Sequence, residues 1–158
     1  MSAPVLICDL LDDALRMNDG VLARRGVSVV REFAEVPLLM LDRQQLLQIM
    51  INLISNARHA MEDMPGALQQ ITLRVALVAG NSLRVSLRDE GEGIPSGNLA
   101  RIFVHGFTTR KTDHGFGLHS CALVARLMGG TLTAHSDGPG RGATFTLDRP
   151  INTAPGEP

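Results

Sequence analysis

Apolar residues at Leu6, Leu10, Ala14, Leu15 and Leu22, with charges between them, predict one amphipathic helix over about 5–25, ending near Gly26. The stretch V-S-V-V-R-E-F at 27–33 alternates enough to predict a strand. Pro37 breaks the chain, and Asp42 is a good N-cap for a helix over about 43–61 that stops before Pro65-Gly66. Strands are predicted at about 70–78 and 82–88, joined at Ala79-Gly80-Asn81, whose Gly-Asn pair signals a hairpin. From Asp89 to His114 the chain is a long glycine-rich connection with one helical turn expected around 97–102. Connections of that length in a compact domain usually carry function. A helix over about 117–127 ends at Gly129-Gly130, and strands at 131–136 and 143–148 close the domain around D-G-P-G-R-G. These elements predict an α/β fold, a two-layer sandwich with a mostly antiparallel mixed sheet packed against about three helices.

Composition narrows the picture. The 158 residues suit one domain with a real core, and 44% hydrophobic content fits a globular chain. A formal charge of −1 argues against a nucleic-acid-binding surface. No apolar run reaches the roughly 18 residues of a membrane span, and no signal-peptide pattern opens the chain. Cys8 and Cys121 have neither metal-type nor redox-type spacing, which suits a reducing compartment and a cytoplasmic location. The five histidines form no tight ligand pattern, so no transition-metal site is expected; Cys121 and Met128 read as core residues.

Three motifs then follow in a fixed order and outline a nucleotide pocket. On the 43–61 helix, Leu46, Ile49, Leu53, Ala57 and Ala60 form an apolar stripe, while Gln48, Asn52, Asn56 and His59 line another face at spacings of four, four and three. Asparagine is a poor helix former, so this line is either a solvated face or a set of neutral ligands and donors facing phosphates and Mg²⁺. Asp89-Glu-Gly91-Glu-Gly93-Ile94-Pro95 is either an acidic turn or a carboxylate at a strand end that reads adenine, with glycines admitting close backbone. Glu90 and Glu92 are expected as exposed charges. The third motif runs Phe107-Thr108-Thr109-Arg110-Lys111 and, past His114, Gly115-Phe116-Gly117-Leu118. Hydroxyls and cations there can cover a triphosphate, ahead of a helix start that suits phosphate.

At these residues the chain resembles the catalytic, ATP-binding domain of bacterial two-component sensor histidine kinases, part of the superfamily of gyrase and Hsp90 ATPases. The similarity runs from about Val27 to Leu147. The resemblance implies the Bergerat-type ATP-binding fold, with ATP and Mg²⁺ as cofactors. It implies that Asn56 holds the metal and that Asp89 reads adenine, with Gly91, Gly93 and Ile94 around the base. Asn52 stands where related ATPases place a water-activating Glu, and it cannot act as a general base. That favours phosphoryl transfer over hydrolysis. His59 is either a phosphate-contacting or ribose-contacting side chain or an exposed helix histidine. Phe107, Thr108, Thr109, Arg110, Lys111, His114, Gly115, Phe116, Gly117 and Leu118 are expected in the lid and phosphate site. Arg110 and Lys111 would offset charge during transfer. Many relatives have Glu-Pro-Phe where this chain reads Val104-His105-Gly106, so the lid is expected to be either looser or anchored through Phe103 and Phe107. The stretch Gly140-Arg-Gly142-Ala-Thr144-Phe145 resembles the family's closing motif, with Thr144 expected near the base, or it is a plain hairpin turn.

The implied organisation is a connecting segment and first helix over 1–26, the catalytic domain over 27–150 and a disordered tail over 151–158. No histidine precedes His59, so the phosphoacceptor histidine is expected on a separate dimerisation domain. The expected partners are that domain and a response regulator receiver domain, with no nucleic acid and no membrane contact, and a monomer in isolation. Two other readings stand beside this one: a stand-alone serine kinase acting as an anti-sigma factor, and a non-catalytic nucleotide-sensing module.

Overall fold

The computed structural model of the chain describes residues 2–24, 26–62, 69–78, 81–99, 101–103 and 117–151. Its elements are β1 (Ala3–Val5), α1 (Ile7–Met17), α2 (Asp19–Arg24), β2 (Ser28–Phe33), β3 (Leu39–Leu41), α3 (Arg43–Glu62), β4 (Gln70–Val78), β5 (Ser82–Asp89), α4 (Gly117–Leu127), β6 (Thr131–His135) and β7 (Ala143–Pro150), with a 3₁₀ turn at Ser96–Asn98. Five strands form one sheet in the order β2-β4-β5-β7-β6. The β2–β4 pair is parallel and the other pairs are antiparallel. This is the expected mostly antiparallel mixed sheet with helices on one side.

Alternation makes the sheet one-faced. Ile71, Leu73 and Val75 on β4, Leu83, Val85 and Leu87 on β5, and Ala143, Phe145 and Leu147 on β7 are all buried. The intervening residues carry ion pairs on the outer face, such as Arg84 with Asp148 at 2.7 Å. Against the buried face lies α3, whose Leu46, Ile49, Leu53 and Ala57 are each at most 1% exposed. Four of the five residues of the expected stripe therefore pack as read, while Ala60 is only half-buried. Asp42 does cap α3: its Oδ1 accepts the Gln45 N–H at 3.1 Å. α4 ends in a Schellman arrangement, with Gly129 at φ +80° and the Gly130 N–H on the Ala125 carbonyl at 2.9 Å.

The N-terminal region corrects the sequence expectation of one helix. Residues 3–5 pair antiparallel with β3 in a two-stranded ribbon, Val5 opposite Leu39. The helix then breaks at Asn18, whose N–H bonds the Leu15 carbonyl and whose Nδ2 bonds the Ala14 carbonyl at 3.3 Å. Asparagine competes with the helix ladder in this way because its side chain is short and polar. The buried Leu10, Leu11, Ala14 and Leu15 of α1 face α3 and the core.

Arg149, 7% exposed, is a cation inside this core. It donates to the carbonyls of Met128 at 2.9 Å, Pro150 at 3.2 Å and Met40 at 3.3 Å, tying the end of α4 to β7 and β3. Burial pushes its pKa down from the usual guanidinium value. Among the described residues no helix is long and apolar enough to cross a membrane.

Candidate functional site

Asp89 closes β5 and is 1% exposed, so its carboxylate is out of reach of bulk water. A carboxylate in that position needs donors. Oδ1 accepts the Gly91 N–H at 2.9 Å, which turns the chain tightly away from the strand. The following residues are then gripped from both sides by backbone. Glu92 N–H donates to the Ala60 carbonyl in the last turn of α3 at 2.9 Å. Glu92's own carbonyl accepts from Gly140 N–H at 2.7 Å, and the Gly91 carbonyl accepts from Gly142 N–H at 3.2 Å.

The glycines are required by this grip. A Cβ at Gly91 would lie 2.6 Å from the Ala60 carbonyl oxygen. Gly93, at φ +73°, would drive a Cβ into the Gly138 carbonyl, and Gly142, at φ +70°, into the Asp89 carbonyl. These close approaches, which no side chain could enter, hold the Asp-Gly loop against both the Asn helix and the closing loop.

Ser136 completes the clamp, and sequence reading missed it. Its Oγ accepts the Ile94 N–H at 3.0 Å and the Gly138 N–H at 3.2 Å, and donates to the Gly142 carbonyl at 2.6 Å. A serine one residue past a strand carries no periodic signal. Its place between two glycine-rich segments was the available hint.

Thr144 is a correction. In the register of β5 and β7 it stands opposite Arg88, while Ala143 stands opposite Asp89. Successive side chains alternate between faces, so Thr144 is on the sheet face away from Asp89. The run A-T-F-T-L puts its apolar residues on the inner face and its threonines on the outer one. Glu90 also departs from expectation: it is half-buried and pairs with Arg88 at 3.1 Å.

Along α3 the expected polar line is real but not uniform. Gln48 is exposed, and its Nε2 donates to Asn52 Oδ1 at 3.3 Å. Asn52 Nδ2 points across to Cys121 Sγ on α4 at 3.6 Å. Asn56 is different: its Nδ2 is buried and has no hydrogen-bond partner among the described residues. An unmet buried donor is costly unless something completes it. His59 turns back on its own helix, with Nδ1 2.8 Å from the Ser55 carbonyl. Facing a carbonyl, Nδ1 carries the proton, and Nε2 then accepts from Arg58 Nη2 at 3.4 Å. In this arrangement both ring nitrogens are already engaged.

The start of α4 joins the same region. Gly117 is its first residue, and Leu118 packs against the core. His119 Nδ1 donates to the Phe103 carbonyl at 3.0 Å, and the Phe103 ring stands edge-on to Phe145, centroids 6.4 Å apart. Phe103 thus joins the start of α4 to β7. Phe107, Thr108, Thr109, Arg110, Lys111, His114, Gly115 and Phe116 lie outside the described residues, as do Val104, His105 and Gly106. The structure thus brings together the end of the Asn helix, the Asp89 loop, the 136–142 loop and the start of α4.

Comparison with known proteins places this arrangement. Residues 41–153 match the family described as histidine kinase-, DNA gyrase B- and HSP90-like ATPase. The chain is 31% identical over 147 residues to the sensor histidine kinase ZraS of Klebsiella oxytoca, spanning 91% of this chain and 30% of that protein. It is 34% identical over 151 residues to the alginate biosynthesis sensor protein KinB of Pseudomonas aeruginosa, covering 91% of this chain and 24% of that protein. Its span is thus under a third of the length of either relative. Among solved structures it superposes on full-length ShkA in complex with AMPPNP, with a TM-score of 0.85, 26% identity, and coverage of 97% of this chain and 32% of that one. The catalytic domain of the histidine kinase ThkA in a nucleotide-free form shares the fold, with a TM-score of 0.80, 22% identity and 95% coverage of each chain. The chain belongs to the histidine kinase-, gyrase B- and HSP90-like ATPase family, and sensor histidine kinases are among its relatives.

Proposed function

We propose that this domain transfers the γ-phosphoryl group of Mg-ATP to a histidine on a separate dimerisation domain, acting in the cytoplasm within two-component signalling. The observation that carries the reading is the buried Asp89 carboxylate at the meeting point of three glycine-rich or asparagine-rich segments. A carboxylate held there by the Gly91 N–H is built to accept from the exocyclic amine of adenine. The glycines on either side let the neighbouring backbone close in and fix the loop that carries this carboxylate.

Asn56 fits a Mg²⁺–phosphate group. Its amide offers a neutral oxygen, and its buried N–H₂ has no partner among the described residues, while a phosphate chain supplies acceptors. When bound, Mg²⁺ would neutralise phosphate charge. Asn52 has no basic function, which disfavours activation of water. Arg110 and Lys111 would offset charge on the transferring group. In the transfer the bond between the γ-phosphorus and its bridging oxygen breaks, ADP leaves with the electron pair, and an imidazole nitrogen forms the new N–P bond. Positioning and charge stabilisation supply most of the catalysis. A response regulator receiver domain would take the phosphoryl group next.

The test is incubation of this chain with γ-labelled ATP, Mg²⁺ and a dimerisation domain bearing the acceptor histidine. The proposal expects label on the acceptor that is lost in acid and retained in alkali. Acid-stable label on serine would instead favour the serine-kinase reading, and no label despite bound ATP would favour a nucleotide-sensing module.

A further inference from the structure

Helix α4 runs along α3, and at their seam lies Cys121, 1% exposed. Its Sγ is 3.6 Å from Asn52 Nδ2 and 3.9 Å from the Ile49 carbonyl oxygen. A thiol has one weak donor and a weakly accepting sulfur. With S–H directed at the Ile49 carbonyl, the sulfur faces Asn52 only as an acceptor. The amide must then present Nδ2 to the thiol, which leaves Oδ1 to take the Gln48 Nε2 hydrogen at 3.3 Å. A half-turn of the amide would set its oxygen against sulfur lone pairs. Among the described residues, one Asn52 N–H and one Oδ1 lone pair remain unspent, in directions fixed by these contacts. Burial pushes the Cys121 thiol up to about 11, so the proton that gives the arrangement its direction is retained near neutral pH.

We infer that Cys121 is a positioning residue: it sets which end of the Asn52 amide faces the nucleotide and couples that orientation to the placement of α4. This rests on the nucleotide-site reading above and extends it to a residue that sequence alone marks as plain core. The same helix begins at Gly117 and is held at its first turn by His119 on the Phe103 carbonyl. A shift of α4 along α3 would therefore move the sulfur away from Asn52 and release the amide.

The test is a double-mutant cycle on the whole chain, with Mg-ATP affinity read by calorimetry and thermal unfolding followed alongside. The variants are Cys121→Ala, Cys121→Ser, Asn52→Ala and the Cys121→Ala/Asn52→Ala pair. Cys121→Ala is expected to weaken Mg-ATP binding about two- to fivefold, in proportion to one weak contact. Cys121→Ser, which keeps a donor and an acceptor, should recover part of that loss. In the Asn52→Ala background, Cys121→Ala should have no further effect. Equal weakening in both backgrounds would make the effect one of packing and overturn the inference, as would unchanged affinity in Cys121→Ala. If Cys121→Ala fails to fold, Cys121→Ser run through the same cycle decides between the same outcomes. An unaltered chain that binds no Mg-ATP would overturn the nucleotide-site reading and this inference with it, so the two failures are distinguishable.

Discussion

Around Asp89 the pocket is held mainly through backbone, with Ser136 bonding only backbone groups, whereas along the seam of α3 and α4 it is held by side chains. The first region carries hydrogen bonds of 2.7–3.2 Å from Glu92, Gly140 and Gly142, and at Gly91, Gly93 and Gly142 there is no room for a methyl group. The second rests on a sulfur contact at 3.6 Å and leaves Asn56 Nδ2 without a partner among the described residues. The difference teaches how the work is divided. The end assigned to the base is shaped before any ligand arrives, while the end assigned to phosphates and Mg²⁺ still has donors to spend.

The comparison breaks hardest at the rigid end. Gly93→Ala combines a disfavoured left-handed φ with a clash into the Gly138 carbonyl, and should cost about 3 kcal/mol of stability, read by denaturant unfolding. Nucleotide binding should be lost with it. A full-stability Gly93→Ala would mean that the clamp is loose.

The side-chain seam has its own signature in alkali. Cys121 is raised from 9.0 to about 11 in the folded chain, so its neutral form is favoured by folding. Its contribution is fully present below about pH 9 and is lost as pH rises toward 11, on the order of 2–3 kcal/mol in all. Unfolding measured across that window should show this decline, and Cys121→Ala should flatten it.

Smaller effects separate binding from folding. Asp89→Asn keeps an oxygen for the Gly91 N–H but loses the charge, and should weaken ATP binding by roughly 2 kcal/mol, about thirtyfold, with little change in stability. Arg149→Met should do the reverse: about 1–2 kcal/mol off the unfolding free energy, as its carbonyl partners lose their donors, with nucleotide affinity unchanged.

Legibility in the sequence followed periodicity. Helix α3, the β4–β5 pair, α4 and β6 carry strong local patterns, and their limits lie close to those expected. The β1–β3 ribbon joins three-residue strands far apart in the chain, too short for a period to show. The break at Asn18 was hidden because the apolar spacing of Leu10, Leu15 and Leu22 runs across it. At the site, Asp89 and the glycines stood out because their spacing is unusual. Ser136 and Arg149 did not, because their roles depend on carbonyls brought near only by the fold. Thr144 was misread, although the A-T-F-T-L alternation already put it on the face opposite Asp89.

The most direct measurement is calorimetric titration of ATP and ADP into the domain, with and without Mg²⁺, alongside Asn56→Ala. The account predicts that both nucleotides bind, that Mg²⁺ strengthens ATP binding, and that Asn56→Ala removes the Mg²⁺ effect while leaving Mg²⁺-free ADP binding in place. A folded domain that binds neither nucleotide, or an Asn56→Ala variant with its Mg²⁺ dependence intact, would contradict it.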